Sequence, residues 1–362
     1  MRPGAEVNAG GDLTSPVQPA PAATLAAEGG GPIGPVEVER GAARLPSGCD
    51  YPCVSEPTKH HFVPQFLLRE FSDERGRLSV HRLDGTQAYV TNVRNLAHRN
   101  HGHTLFWPHR PPNQGLLERR MSDLEGETKT VLDRLSSDEE TFMQPEDRLA
   151  LSWFISLQWH RHRYTLDYAR EKVLRDEAPA IDPVEQRVRQ SIGLTHLLVI
   201  LDAWAARDDP LARPKEKWDN VVSLLQAFHW RLLRYRRPVL VVSDATVGLS
   251  GVATGETADA PSAWTLHGFG VGFGNCRRVS IPLTPQLGLL LDRDEPPRHI
   301  PAVRFNRLTV ATSREFVATP PDFHDREPAL ARSMSEDLWT QRHLYRVFAV
   351  HEQELQPEGR SR

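Results

Sequence analysis

The run Lys59-His60-His61-Phe62-Val63-Pro64-Gln65-Phe66-Leu67-Leu68-Arg69-Glu70-Phe71 constrains this chain more than any other stretch. Two histidines stand just before a proline, whose missing N–H and fixed φ suit the first position of a helix. Phe66, Leu67 and Phe71 then supply an apolar face at helical spacing. The run also marks a border. Residues 1–56 are rich in Gly, Pro and Ala, cannot bury enough apolar area to offset their ordering entropy, and read as a disordered tail.

With 362 residues, the chain is long enough for one large core or two smaller ones. The net charge of −3 provides no global basic field to attract nucleic acid, although a local basic face is compatible with it. Arginine outnumbers lysine heavily, since only Lys59, Lys129, Lys172, Lys215 and Lys217 are lysines among 44 basic residues. The arginines are spread along the chain, which fits codon bias better than a dedicated anion cluster. Cys49, Cys53 and Cys276 cannot build a disulfide framework. No signal-peptide pattern opens the chain, and no apolar run approaches the ~20 residues of a membrane helix. The expectation is a cytoplasmic protein with no membrane partner.

Leu78–Leu83, an Asp84-Gly85 pair and Thr86–Val90 give a β-hairpin signal, and Thr104–Trp107 reads as a short strand. Periodic apolar residues predict helices over 114–136, 145–177, 184–206 and 215–235. Strands are expected at 238–244, 277–283 and 287–291, with further helices at 301–316 and 327–343. Separate helical and strand blocks imply an α+β fold, with a predominantly helical middle, an N-terminal β-hairpin and a small C-terminal mixed or antiparallel sheet. Residues 57–345 read as a single globular domain, 248–272 as a loop insertion in it, and 346–362 as a tail.

The opening run resembles the first motif of the bacterial family called domain of unknown function 4238, roughly His-aromatic-aliphatic-Pro-Gln-aromatic-x-Leu-basic-x-Phe. Further blocks agree in order: Leu117-Glu118 with Leu124-Glu125, Phe154–Gln158 with Arg161 and Arg163, Val241–Asp244, Ile281–Pro285, and Phe305-Asn306. The resemblance spans about residues 58–318. In the family, Ser-Asp is usually followed by Asn-Pro, whereas Ala245-Thr246 stands here. The family carries no established activity, so the resemblance implies no residue roles.

His60, His61, Glu125, Gln158, Arg161, Arg163, Ser243 and Asp244 lie on elements expected to share a core, where polar groups must find partners. If they converge, His61, Glu125 and Asp244 are candidates for catalysis or for holding a divalent metal. His60, Gln158, Arg161, Arg163 and Ser243 would then bind the ligand. The competing explanation is a buried network in which His61 caps the Pro64 helix, Arg163 pairs with Glu125 and Asp244 caps a turn. Two further histidine arrangements have metal-ligand elements: Cys49 and Cys53 near His60-His61, and His101 with His103, set among His98 and His109. Incidental tail cysteines and a solvated loop before the Thr104–Trp107 strand explain them better.

Gln158–Arg163 and Phe228–Arg237 mix cations with aromatics, a composition that suits nucleic acid or a solvated face. The glycine-rich 268–274 lacks a following helix and reads as a turn, not a nucleotide cradle. No Gly-x-x-x-x-Gly-Lys, His-Glu-x-x-His or Gly-x-Ser-x-Gly motif is present. Three functions follow: a protein binding an anionic ligand or a partner in a polar pocket, a metal-dependent phosphodiester hydrolase such as a defence nuclease, or an interaction scaffold.

Overall fold

The structure is a computed structural model that describes residues 59–107, 110–113, 115–137, 142–163, 165–166, 183–208, 216–251 and 271–354. Cys49, Cys53, His109 and most of the 248–272 stretch lie outside the described residues. The fold is α+β.

The opening run forms a short strand, β1 (Lys59–His61), and a short helix, α1 (Gln65–Glu70). Pro64 is the residue flanking this helix, with φ −57 and ψ 134, one place earlier than the spacing predicts. Phe66, Leu67 and Phe71 are buried as expected. Next come β2 (Arg77–Arg82) and β3 (Tyr89–Asn92), antiparallel, with Arg77 opposite Asn92 and Val80 opposite Tyr89. This register is centred on Asp84-Gly85, but the ladder stops at Val80. Asp84 accepts the Thr86 amide and hydroxyl at 3.0 and 2.8 Å, and Gly85 takes φ 92, a value suited to glycine. Strand β4 (His98–Asn100) returns to pair with β1, setting His61 opposite His98. Strands β5 (Leu105–Trp107) and β6 (Arg110–Asn113) form a second small ribbon.

The middle is helical: α2 (Leu116–Ser137), α3 (Pro145–Arg161), α4 (Pro183–Ala205) and α5 (Glu216–Gln226). Helix α3 begins on Pro145 with a capping box between Gln144 and Asp147. The spacing predicts one helix to 177; instead the chain breaks at His162, with φ −58 and ψ 134, and helical backbone resumes at Arg163, where the Leu166 amide donates to the His162 carbonyl at 3.0 Å, while residues 167–177 lie outside the described residues. Helix α5 likewise ends at Gln226 instead of 235, and the chain becomes strand β7 (His229–Arg234).

Strands β8 (Val242–Ser243), β9 (Gly248–Gly251), β10 (Cys276–Thr284) and β11 (Leu287–Asp292) follow. Helix α6 (Ala302–Thr312), strand β12 (Phe316–Thr319), α7 (Phe323–Arg326) and α8 (Pro328–Glu354) complete the order. The expected helix over 301–316 thus gives way to a strand at Phe316. Helix α8 continues into the stretch expected as tail, and Gly248–Gly251 pairs with β10 although it was assigned to an insertion.

Two four-stranded antiparallel sheets result, ordered β7-β11-β10-β9 and β3-β2-β12-β8. The largest apolar cluster joins α1, α3 and both sheets through residues such as Phe66, Phe154, Leu240, Ile281 and Phe305. Among the described residues no helix is long and apolar enough to cross a membrane.

Gly288 lies where β11 meets α6, and a Cβ there would fall 2.7 Å from the Phe305 ring. Gly288→Ala should therefore cost about 1–3 kcal/mol in urea unfolding, the usual penalty for overpacking a close contact. A second test concerns pH. His81 on β2 stacks on His324 of α7 with ring centroids 4.9 Å apart and Nε2 atoms 3.2 Å apart. Burial, then the charge of His324, holds the His81 pKa down from its ordinary 6.5 to about 4. A folded-state value below the unfolded one means the contribution is complete above pH 6.5 and is lost as pH falls through 4. His81→Gln should flatten the fall in Tm across that window.

Candidate functional site

Arg161, the last residue of α3, is buried with only 2 % of its side chain exposed. Its Nε and one terminal nitrogen donate to the His61 carbonyl at 2.9 and 2.5 Å. The other terminal nitrogen donates to Glu125 of α2 at 2.5 Å. One guanidinium thus pins strand β1 to two helices. The fork suits this task, since it presents several N–H groups at fixed angles. Glu125 therefore pairs with Arg161, not with Arg163 as the buried-network alternative supposed. Arg163 instead meets Glu315 at 2.7 Å on the surface.

With β1 held, its alternation turns His60 inward. His60 Nδ1 accepts the His103 amide at 2.8 Å, and the two imidazoles stack with centroids 5.5 Å apart and planes inclined by 11°. His103 Nδ1 is hydrogen-bonded to Glu118 Oε1 at 2.6 Å. Burial lowers the His103 pKa, which favours the neutral ring. Burial alone would raise Glu118, but the His103 hydrogen bond and the charges of His103, Arg161 and His60 outweigh it and lower its pKa. Among the described residues His60, His103 and Glu118 form a group able to hold a metal, with one ligand atom from each lying within 4.8 Å of the others. Beside them is a cavity of about 20 Å³, lined by His60, Phe62, Arg99, His103, Arg161 and Arg163 among others.

All three residues carry visible signals, His60 as a candidate in the opening run. The histidine-rich 98–103 stretch offers His103 together with His101, and Glu118 stands in the first glutamate block of α2. The geometry of His103 is what the sequence does not give. The strand alternative would set His101 and His103 side by side, but residues 101–103 form a turn with His101 at φ 56, as the loop reading has it, although His103 is buried and not solvated. His103 then points into the protein, away from that pairing.

The remaining candidates lie nearby but engage other partners. His61 Nδ1 is 3.3 Å from Gln65 Nε2, and the ring meets His98 edge-on at 5.6 Å. Burial, then the neighbouring His98, pulls the His61 pKa down to about 4. Gln158 donates to the Phe62 carbonyl at 3.4 Å and to Thr246 Oγ1 at 3.2 Å, so Thr246, which departs from the family pattern, still gives Gln158 a partner. Asp244 meets His162 Nε2 at 3.0 Å and accepts the amides of Arg314, Glu315 and Phe316. That is turn capping of the kind the alternative supposed. Ser243 is fully buried beside it on β8.

Of the blocks that carry the resemblance, β1, α2 and α3 build this centre, and β8 with α6 forms the adjoining core through Asp244 and Asn306. A family profile described as "Protein of unknown function (DUF4238)" matches residues 59–322. No curated protein and no solved structure matches the chain.

Asp244→Ala would leave three amides and His162 without their acceptor in the interior. The expected loss is about 3 kcal/mol or more in urea unfolding, and Asp244→Asn, which keeps one oxygen, should lose less.

Proposed function

We propose that this chain, which belongs to the DUF4238 family, is a binding protein for an anionic ligand, and that an oxygen of the ligand enters the cavity beside His103. The observation that supports this reading is the lining: three arginines and two histidines are among the residues around one small cavity of about 20 Å³. The chain is slightly acidic overall, so this concentration of cations is local.

The three arginines have different tasks. Arg161 is fixed by Glu125 and forms a rigid wall. Arg99 and Arg163 stand exposed at the rim and supply donors that an anion can reach. The pair between Arg163 and Glu315 is exposed, and such pairs contribute only about 0–1 kcal/mol, so a phosphate can replace the carboxylate at little cost. Bidentate arginine contacts to phosphate are among the stronger hydrogen bonds available. The cavity admits one oxygen-sized group, which leaves the rest of the ligand outside it. Phosphate esters, nucleic-acid backbones included, suit that arrangement, and a cytoplasmic setting is part of the same reading.

A second reading, metal-dependent phosphodiester hydrolysis, is supported by the grouping of His60, His103 and Glu118. The scaffold reading has no comparable support among the described residues.

Calorimetry with inorganic phosphate tests the binding reading. Arg99→Gln and Arg163→Gln should each weaken affinity about tenfold, since a charged hydrogen bond is worth roughly 1.5–3 kcal/mol. Unchanged affinity in both variants would sink the idea.

A further inference from the structure

We propose that His60, His103 and Glu118 form a site for one divalent transition ion of the zinc class. This goes beyond the anion reading and stands without it. The three side chains come from β1, the turn after β4 and the first turn of α2, so only the folded chain brings them together. Two imidazoles and one carboxylate are a donor set that zinc accepts, and three protein ligands leave a fourth position for water.

Two features of the geometry support the site. The first is spacing. The ligand atoms all lie within 4.8 Å of one another, the range in which three side chains can adjust onto an ion held about 2.0–2.2 Å from each. Side-chain torsions supply that adjustment, which for His103 and Glu118 means opening their 2.6 Å hydrogen bond. The second is the adjacent cavity of about 20 Å³, which touches both histidines. A single water needs roughly 10–15 Å³, so the room matches one further ligand and little more.

The hydrogen bonds of these side chains also show what the ion must displace. A proton joins His103 Nδ1 and Glu118 Oε1 at 2.6 Å, in the space between two of the ligands. Binding through that nitrogen releases the proton to solvent, as ligand deprotonation requires. His60 Nδ1 accepts the His103 amide, so His60 either turns that lone pair to the ion or donates from Nδ1 and ligates through Nε2. Both routes disturb the 101–103 turn. The arginines oppose a cation, but Arg161 is matched by Glu125 and Arg163 by Glu315.

The test uses the full chain, stripped with a chelator and titrated with Co²⁺ or Zn²⁺ alone. Calorimetry should give one ion per chain, and Co²⁺ should show the intense visible bands of a four-coordinate site. Glu118→Gln keeps the hydrogen-bonding shape and loses the charge. It should weaken binding by more than the roughly 10–100-fold that loss of an outer-shell partner costs. His103→Asn should do the same. A Cys49→Ser, Cys53→Ser double variant should bind like the parent. The proposal is overturned if no stoichiometric ion binds, if Glu118→Gln binds with parental affinity, or if the cysteine variant loses the ion. Should His103→Asn fail to fold, Glu118→Gln and the Co²⁺ spectrum still decide.

Discussion

The buried Arg161 guanidinium is the interaction on which the rest of this centre depends. Strand β1 is only three residues long and pairs with an equally short β4. Two such strands hold little by themselves, because isolated ribbons are marginal in water. Arg161 adds two hydrogen bonds to the His61 carbonyl and ties them to Glu125. A lysine, with its single nitrogen, lacks the planar fork that makes these contacts from three nitrogens. The charge is tolerable in the interior only because both partners are present; taking away one partner of a buried pair typically costs ~3–5 kcal/mol. The same contact fixes which face of β1 looks inward, and hence where the His60 ring stands.

Elsewhere side chains finish work that the backbone leaves undone. Strand β8 has two residues, too few to satisfy the segment around it. Asn306 completes it from α6, accepting the Val241 amide at 3.2 Å and donating to the Val239 carbonyl at 2.8 Å. Asp244 does the same for three amides before and at the start of β12. These polar residues are buried because the backbone groups they serve are buried and need partners. Among the polar positions of the ordered blocks, Asn306 and Asp244 complete the backbone, Glu118 and Glu125 hold His103 and Arg161, and Arg161 and Arg163 line the small cavity.

The sequence made the class of fold and its helices legible, because apolar residues at helical spacing are a local signal. It made β10 and β11 legible too, as two apolar runs around Thr284-Pro285. The misassigned segments have non-local causes. His229–Arg234 continues the composition of the preceding helix, and only pairing with β11 makes it a strand. Phe316–Thr319 follows a helix closely and becomes a strand because β2 and β8 flank it. At the candidate site the elements could be chosen from the sequence but not the partners. His60 and His61 are adjacent and chemically alike, and strand alternation alone separates them. Glu118 and Glu125 are two turns apart on α2, yet one meets a histidine and the other an arginine. His103 turns inward through the left-handed backbone of His101, a choice that residue type does not announce.

The position of β12 has a consequence for how the chain is made. It lies between β2 and β8, and its Phe316 pairs with Arg82 near the other end of the folded region. During synthesis the first hairpin therefore leaves the ribosome with one edge open, and its partner arrives only after α6 has been translated. Contacts this distant are slow to form, and an unpaired edge invites association with other chains. The hairpin limits that exposure by being short and by carrying Arg77, Arg82 and Asp84 at its ends. Truncated chains ending before β12 should thus be hazardous products for a cell, prone to aggregate instead of persisting as partly functional fragments.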